Sequence, residues 1–362
     1  MRRAYTLTEL LVVIIIMVIL VAVSLSLVKR VMDSDRVRAS SRQFSAYISK
    51  AKTQAAIAGR PAGLVLVLAA PLGTTDNPQP ALVVRQCTQL YLAEVPPNYQ
   101  GSVQSARGRI MPSSASLGSY ELVILTPDPA TAGSYIADTI EMAYLQSLID
   151  DGDAFTVRFD HKGAWYRCHR TGGQFLYDGL TTMGTAVPVP PQMTASQHPG
   201  FAFTIQRAPV PVGDPMELTG GACIDLTYSG AGPSGNGFIL HRQSLAIMFW
   251  PDGSIRALYP DGTGPVAPDG NLHFLMGRVS KMDLPLGPNL DHPSTMNMFD
   301  PNKSNLASAD SLWVSINRAN GRVTSSENTP DTDPTDFTPG GQAAFLSRAR
   351  SVATGGQQMG GQ

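Results

Sequence analysis

The first thirty residues constrain this chain more than any other stretch. Arg2 and Arg3 precede Leu10 to Val28, nineteen residues without a charge. As a helix that run covers roughly 28 Å, about one bilayer core. A lone carboxylate, Glu9, stands at its mouth. A charge at the margin of hydrocarbon costs a few kcal/mol, so one kept there reads as functional. Arg2 and Arg3 favour a cytoplasmic N-terminus and an exported body, while Lys29 and Arg30 put positive charge on the far flank as well. A secretory signal is the alternative. Its apolar core is shorter, about 7–15 residues, although Ala22 and Ser24 imitate a small-residue cleavage site.

The helical pattern continues past the apolar run. No proline occurs from Lys29 to Gly59, and Val37, Phe44, Ile48, Ala51 and Ala55 fall at spacings that form one stripe on a helix. Arg36, Arg38, Arg42, Lys50 and Lys52 mostly take the other positions, and Gly59 followed by Pro61 is a conventional stop. From Thr6 to Ala58 such an element would be about 80 Å long. The pattern predicts a subunit whose apolar half packs against copies of itself and whose amphipathic half docks on its own head.

With the leader and Glu9 in view, the N-terminus resembles the class III leader of type IV prepilins and pseudopilins. In that family a short basic leader is cut before an aromatic residue, and a Glu follows at the fifth mature position. Here the resemblance places cleavage between Ala4 and Tyr5, N-methylation on Tyr5, and helix registration at Glu9. Ala4 replaces the family's usual Gly, and Thr8 stands where a hydrophobic residue is common. The resemblance implies a structural role, with other pilin or pseudopilin subunits as partners through the N-terminal helix. It also implies a prepilin peptidase and methyltransferase, an inner-membrane assembly platform and the membrane itself. The expected location is the inner membrane, single-pass, with the N-terminus cytoplasmic and the head periplasmic. Secretion pseudopilus and type IV pilus are not distinguished.

Three further segments are similar to the GspH/FimT type of minor pseudopilin: the helix end Phe44 to Pro61, Met248-Phe-Trp-Pro-Asp-Gly253, and Trp313 to Val323. They lie in that family's order. A typical member is about half as long, so the stretch between Pro71 and Gly200 reads as a large insertion. Some relatives bind DNA through basic residues near the C-terminus. Arg318 and Arg322 occupy comparable places, but two arginines make a thin patch and nucleic acid is an unfavoured partner.

After Pro61 the chain breaks into short β-rich runs: Gly63–Leu68, Ala81–Val84, Gln89–Leu92, Tyr120–Leu125, Phe155–Phe159, Phe201–Ile205, Ala222–Leu226, Leu245–Phe249, Ser254–Leu258 and Ser311–Ile316. Ile136 to Ile149 reads as a helix. Pro251-Asp-Gly253 and Asn320-Gly321 read as hairpin turns. Residues 181–200 and 285–308 read as surface insertions, and from Ser325 onward the composition predicts a disordered tail. The expected fold is α+β: a long N-terminal helix, half transmembrane and half amphipathic, on an antiparallel β-rich head of sandwich or barrel type. The expected divisions are leader 1–4, helix 5–59, head 60–324 and tail 325–362.

Charge and chemistry are sparse. The net charge of −1 hides a basic start, with ten Lys or Arg against three Asp or Glu in residues 1–60 and 17 against 25 in the rest. That balance argues against a dedicated nucleic-acid binder. Cys87, Cys168 and Cys223 form no C-x-x-C pair; one bridge with a spare thiol, or three buried thiols, both stay open. The six histidines lack zinc spacing, and Cys168-His169 would point to opposite faces of a strand. Asp300-Pro-Asn-Lys-Ser304 lacks the central Gly and closing Glu of a calcium loop, so a plain Asx-turn is expected. Gly230 to Gly237 lacks the strand-to-helix setting of a phosphate cradle, and no serine-hydrolase or nucleotide-binding motif occurs. The expectation is no enzyme, no cofactor and no metal.

Overall fold

A computed structural model of the chain describes residues 7–68, 85–113, 119–131, 133–181, 199–232, 237–238, 244–260, 265–282, 299–329 and 341–359. In chain order these form α1 (Leu7–Ala58), β1 (Ala62–Leu68), β2 (Gln86–Glu94), β3 (Arg107–Pro112), β4 (Tyr120–Pro127), β5 (Tyr135–Ala137), α2 (Thr139–Leu148) and β6 (Ala154–Phe159). Then follow β7 (Tyr166–Thr171), β8 (Gln174–Thr181), β9 (Phe203–Gln206), β10 (Val210–Glu217), β11 (Ala222–Ala231), β12 (Ser244–Phe249) and β13 (Ile255–Pro260). The chain ends with β14 (Leu272–Arg278), β15 (Leu312–Ile316), β16 (Val323–Glu327) and α3 (Gly341–Met359).

The strands form two sheets with separate cores. The larger has nine strands in the order β13-β12-β1-β2-β11-β14-β15-β16, with β10 also paired to β2. Its central strand β1 is buried on both faces, which is why Gly63–Leu68 is a continuous apolar run. Leu64, Leu66 and Leu68 turn toward α1 and meet Phe44, Ile48, Ala51 and Ala55. Val65 turns the other way, against Ala93, Ala246 and Met248. Gly63 permits this crowding, because a Cβ there would lie 2.0 Å from the Ile247 carbonyl oxygen.

The smaller sheet is inserted between β2 and β10. Its order is β3-β4-β8-β7-β6-β9, with β5 beside β4. It closes on itself: Gly108 N–H donates to Phe201 O at 2.8 Å and Phe201 N–H donates back at 3.0 Å, while Tyr99 and Ile205 exchange a second pair. The result is a small barrel filled by Phe155, Phe175, Phe203, Leu122, Ile124 and Val157, with Leu145 of α2 at its side. The excursion leaves and returns side by side, since Val210 of β10 pairs with Glu94 of β2.

Several expectations are corrected. The fold is not a long transmembrane and amphipathic helix on one β head: the chain is mainly β, in nine-stranded and seven-stranded sheets. No helix among the described residues is long and apolar enough to cross a membrane. The physical reason lies in α1. It is continuous from Leu7 to Ala58, but from Asp33 onward its side chains alternate between buried and exposed and form a layer of the large sheet's core. The transmembrane and inner-membrane single-pass assignments are therefore withdrawn.

The tail is corrected too. β16 carries it to Glu327, and α3 buries Phe345, Leu346, Arg350 and Ala353 on the sheet face opposite α1, beside Trp313, Tyr228 and Leu275. The stretch read as a surface insertion from 285 to 308 ends in buried structure, because Ser304 to Ser308 are all buried. Asn305 fills the space over Gly277, where a Cβ would come within 2.2 Å of it. The strand expected at Ala81–Val84 lies outside the described residues, as do residues 182–198 and 283–298.

Candidate assembly surfaces

The N-terminal site residues are only partly placed. Ala4 and Tyr5 lie outside the described residues. The Glu9 backbone sits in the first turn of α1, where a carboxylate suits the helix dipole; its side chain lies outside the described residues. Beyond it, Leu10 to Val21 are each 50–65 % exposed. A helix that is apolar on every side gains nothing from water on any side. Exposed apolar patches of this extent mark surfaces that another molecule covers.

The second half of α1 is anchored. Asp33 is 5 % exposed and its carboxylate meets Arg278 at 2.8 Å and Arg36 at 3.6 Å. Further along, the Ser40 hydroxyl donates to Thr219 O at 3.3 Å and Lys52 donates to Asn320 O at 2.8 Å. Arg60 pairs with Glu94, which also accepts from the Gln54 amide at 2.7 Å. Phe44 stacks edge-on against Phe274 with centroids 5.4 Å apart. All five residues of the expected stripe are buried.

Residues weighed for chemistry are held apart. Cys87, Cys168 and Cys223 are free and buried. Burial pushes the Cys87 thiol up to about 12 and raises Cys168 and Cys223 as well, so none is a ready nucleophile. Cys168 faces the barrel core, while His169 on the opposite face of β7 contacts Asp178, which also meets Arg167 at 3.0 Å. No group of three or more His, Cys, Asp or Glu suited to a metal occurs among the described residues. Asp300 Oδ1 accepts from Asn302 N–H at 2.9 Å, the geometry of an Asx-turn. Asp151 of the acidic run accepts from Gly172 N–H at 2.8 Å in the turn after α2. Arg318 and Arg322 sit at the β15–β16 hairpin, whose Asn320 carbonyl accepts from Lys52 of α1.

Two buried titratable groups escaped the sequence reading. Asp225 is raised from its ordinary 3.8 to about 6 by burial, against the opposing effect of hydrogen bonds from Asn305 at 3.1 Å and Thr227 N–H at 3.0 Å. His273 is lowered from 6.5 to about 4 by burial and by the nearby Arg350 charge; its Nδ1 lies 2.9 Å from the Ser315 hydroxyl. Asp225 lies in a strand that alternates apolar and polar residues, His273 in one that is mostly apolar, and only the pairing of β11 and β14 with their neighbours reveals that both faces are covered. On the α1 side of the large sheet, an apolar cavity of about 310 Å³ is lined by Phe238, Leu245, Leu258 and Val266, with Asp269 at its edge.

Compared with family models, curated proteins and solved structures, the chain matches none. The resemblance to prepilins therefore stands on its own residues.

Proposed function

We propose that the chain is a structural subunit of a pilin-like filament, held to its neighbours by α1. The observation that carries this reading is the change of character along one helix. From Asp33 to Ala58 its apolar stripe is consumed by the chain's own large sheet. From Leu10 to Val21 the apolar side chains stay half to two-thirds exposed. A rigid helix fixed at one end, presenting an apolar surface at the other, suits lateral packing with helices of other subunits. The prepilin-like leader supports the same reading, with cleavage between Ala4 and Tyr5 and registration by Glu9. Pairing of the Glu9 carboxylate with a neighbour's Tyr5 amino group would make its position at an apolar margin tolerable.

The test is intact mass spectrometry of the chain from its native host, with copurification of other filament subunits. Loss of residues 1–4 with one methyl on Tyr5 is expected, and Glu9→Leu at equal expression should lower copurification partially. An unprocessed chain whose copurification ignores the substitution would overturn the proposal.

A further inference from the structure

The two most exposed large apolar side chains among the described residues are Ile57 on α1, at 82 %, and Ile140 on α2, at 80 %. They lie in segments of opposite charge. Residues 36–60 contain six Lys or Arg and no Asp or Glu. Residues 110–157 contain seven Asp or Glu and no Lys or Arg.

Helix α2 is mounted with its acid inside and its apolar residues outside. Glu141 is buried, accepting from the Tyr99 hydroxyl and from Ser102 N–H at 3.0 Å. Ile140, Tyr144 and the neighbouring Ile136 of β5 face outward. The helix cannot roll to hide them. Asp138 caps its start, and Arg170 donates to the Gln146 and Ile149 carbonyls at its end. A helix held so firmly in this orientation is preorganised to present Ile140.

On α1, Ile57 borders a shallow groove of about 510 Å³ lined by Ala46, Ser49, Lys50, Thr53 and Gln54. The Ser49 and Thr53 hydroxyls donate to the Ser45 and Ser49 carbonyls at 3.0 and 2.9 Å. Their donors are satisfied within the helix, so covering them leaves no unmet hydrogen bond.

We propose that Ile140 and Tyr144 of one copy seat in the α1 groove of a second copy, with Ile140 against Ile57. The exposed Asp150 just past the end of α2 then faces the exposed Lys50 of the α1 groove, and this charge complementarity fixes the orientation. Because two different patches meet, the contact is heterologous and propagates head to tail. The inference rests on the reading of this chain as an assembly subunit and adds a second contact to the one made by Leu10–Val21.

The experiment uses the full-length chain, whose three native cysteines are buried. Chains carrying Ile57→Cys and chains carrying Ile140→Cys are oxidised separately and as a mixture. A covalent dimer in the mixture, at least several-fold above either variant alone and reduced by high salt, is the expected result. Dimers from Ile140→Cys alone would mean that the patch meets itself and would overturn the proposal. A mixture no richer in dimer than its components would overturn it as well. Crosslinking through Ile14→Cys reports helix packing independently. If that persists while the mixture fails, this contact is wrong and the assembly reading stands; if both fail, both fall.

Discussion

The two sheets solve the problem of exposed edges and faces in different ways. The inserted barrel closes through bridges from Gly108 of β3 to Phe201 and from Tyr99 to Ile205 of β9, so its core is enclosed mainly by its own strands. The nine-stranded sheet stays open, and both faces need cover. One receives α1, with Phe44, Ile48 and Ala51, and part of the other receives α3, with Phe345 and Leu346. Closure makes one unit self-sufficient, while openness makes the other depend on helices from both ends of the chain. A chain built this way ties the folding of its large sheet to α1, and leaves the barrel free of that coupling.

The strongest way to break this comparison is Phe44→Ala. Phe44 is 0 % exposed and packs edge-on against Phe274. Removing a fully buried ring costs about 3–5 kcal/mol. Hydrogen exchange read peptide by peptide should show lost protection in β1, β12 and β14 and unchanged protection in β6 and β7. Equal loss in both sheets would mean that the two units fold as one.

A second test uses pH, and its signs oppose each other within the large sheet. Asp225 has its folded pKa raised from 3.8 to about 6. Its protonated form is favoured by folding, so its contribution is complete below about pH 4 and is lost as pH rises through 6. His273 has its folded pKa lowered from 6.5 to about 4. It is held neutral, so its contribution is present above pH 6.5 and lost as pH falls toward 4. Each is worth on the order of 3 kcal/mol, and the two nearly cancel between pH 4 and 6.5. Asp225→Asn removes one of the opposing effects. The unfolding free energy of the large sheet, measured in urea, should then fall by about 3 kcal/mol more than in the parent chain on acidification from pH 6.5 to 4. A variant as insensitive to pH as the parent would show that Asp225 is not the balancing group.

What was legible in the sequence follows physical locality. The α1 stripe could be read because Val37, Phe44, Ile48, Ala51 and Ala55 are governed by one helical period. The hairpins at Pro251-Asp-Gly253 and Asn320-Gly321 could be read because turn chemistry is local; Gly253 and Gly321 both adopt positive φ. Strands β3, β7, β8, β10 and β14 were missed. Tyr166-Arg-Cys-His-Arg-Thr171 is charged on one side because only its inner residues Tyr166 and Cys168 enter the barrel core. β10 carries two prolines and is mostly exposed. The helix α3 was missed because its sequence is rich in Gly, Ser and Gln. Phe345, Leu346 and Ala353 become a stripe only against Trp313, and that contact spans a gap in sequence that no local pattern signals. As for the proposed assembly surfaces, the charge segregation of residues 36–60 and 110–157 is visible in the bare sequence. That Glu141 would turn inward and Ile140 outward is not, since hydrophobic periodicity alone favours the reverse.

The smallest expected effect lies in the barrel and concerns that inversion. Asp138 Oδ1 accepts from Ile140 N–H at 2.9 Å and Glu141 N–H at 3.0 Å, satisfying two donors at the start of α2. Asp138→Ala removes the cap and should cost about 1 kcal/mol. The loss should stay local, because Leu145 still fills the barrel side and Glu141 still accepts from Tyr99. Hydrogen exchange should quicken in Thr139 to Met142 and stay unchanged in α1 and the nine-stranded sheet. Asp138→Ser, which keeps an acceptor at the cap, should recover most of the protection. If the serine variant exchanges as fast as the alanine variant, the carboxylate acts through its charge at the helix N-terminus. In that case the difference between them should shrink in high salt.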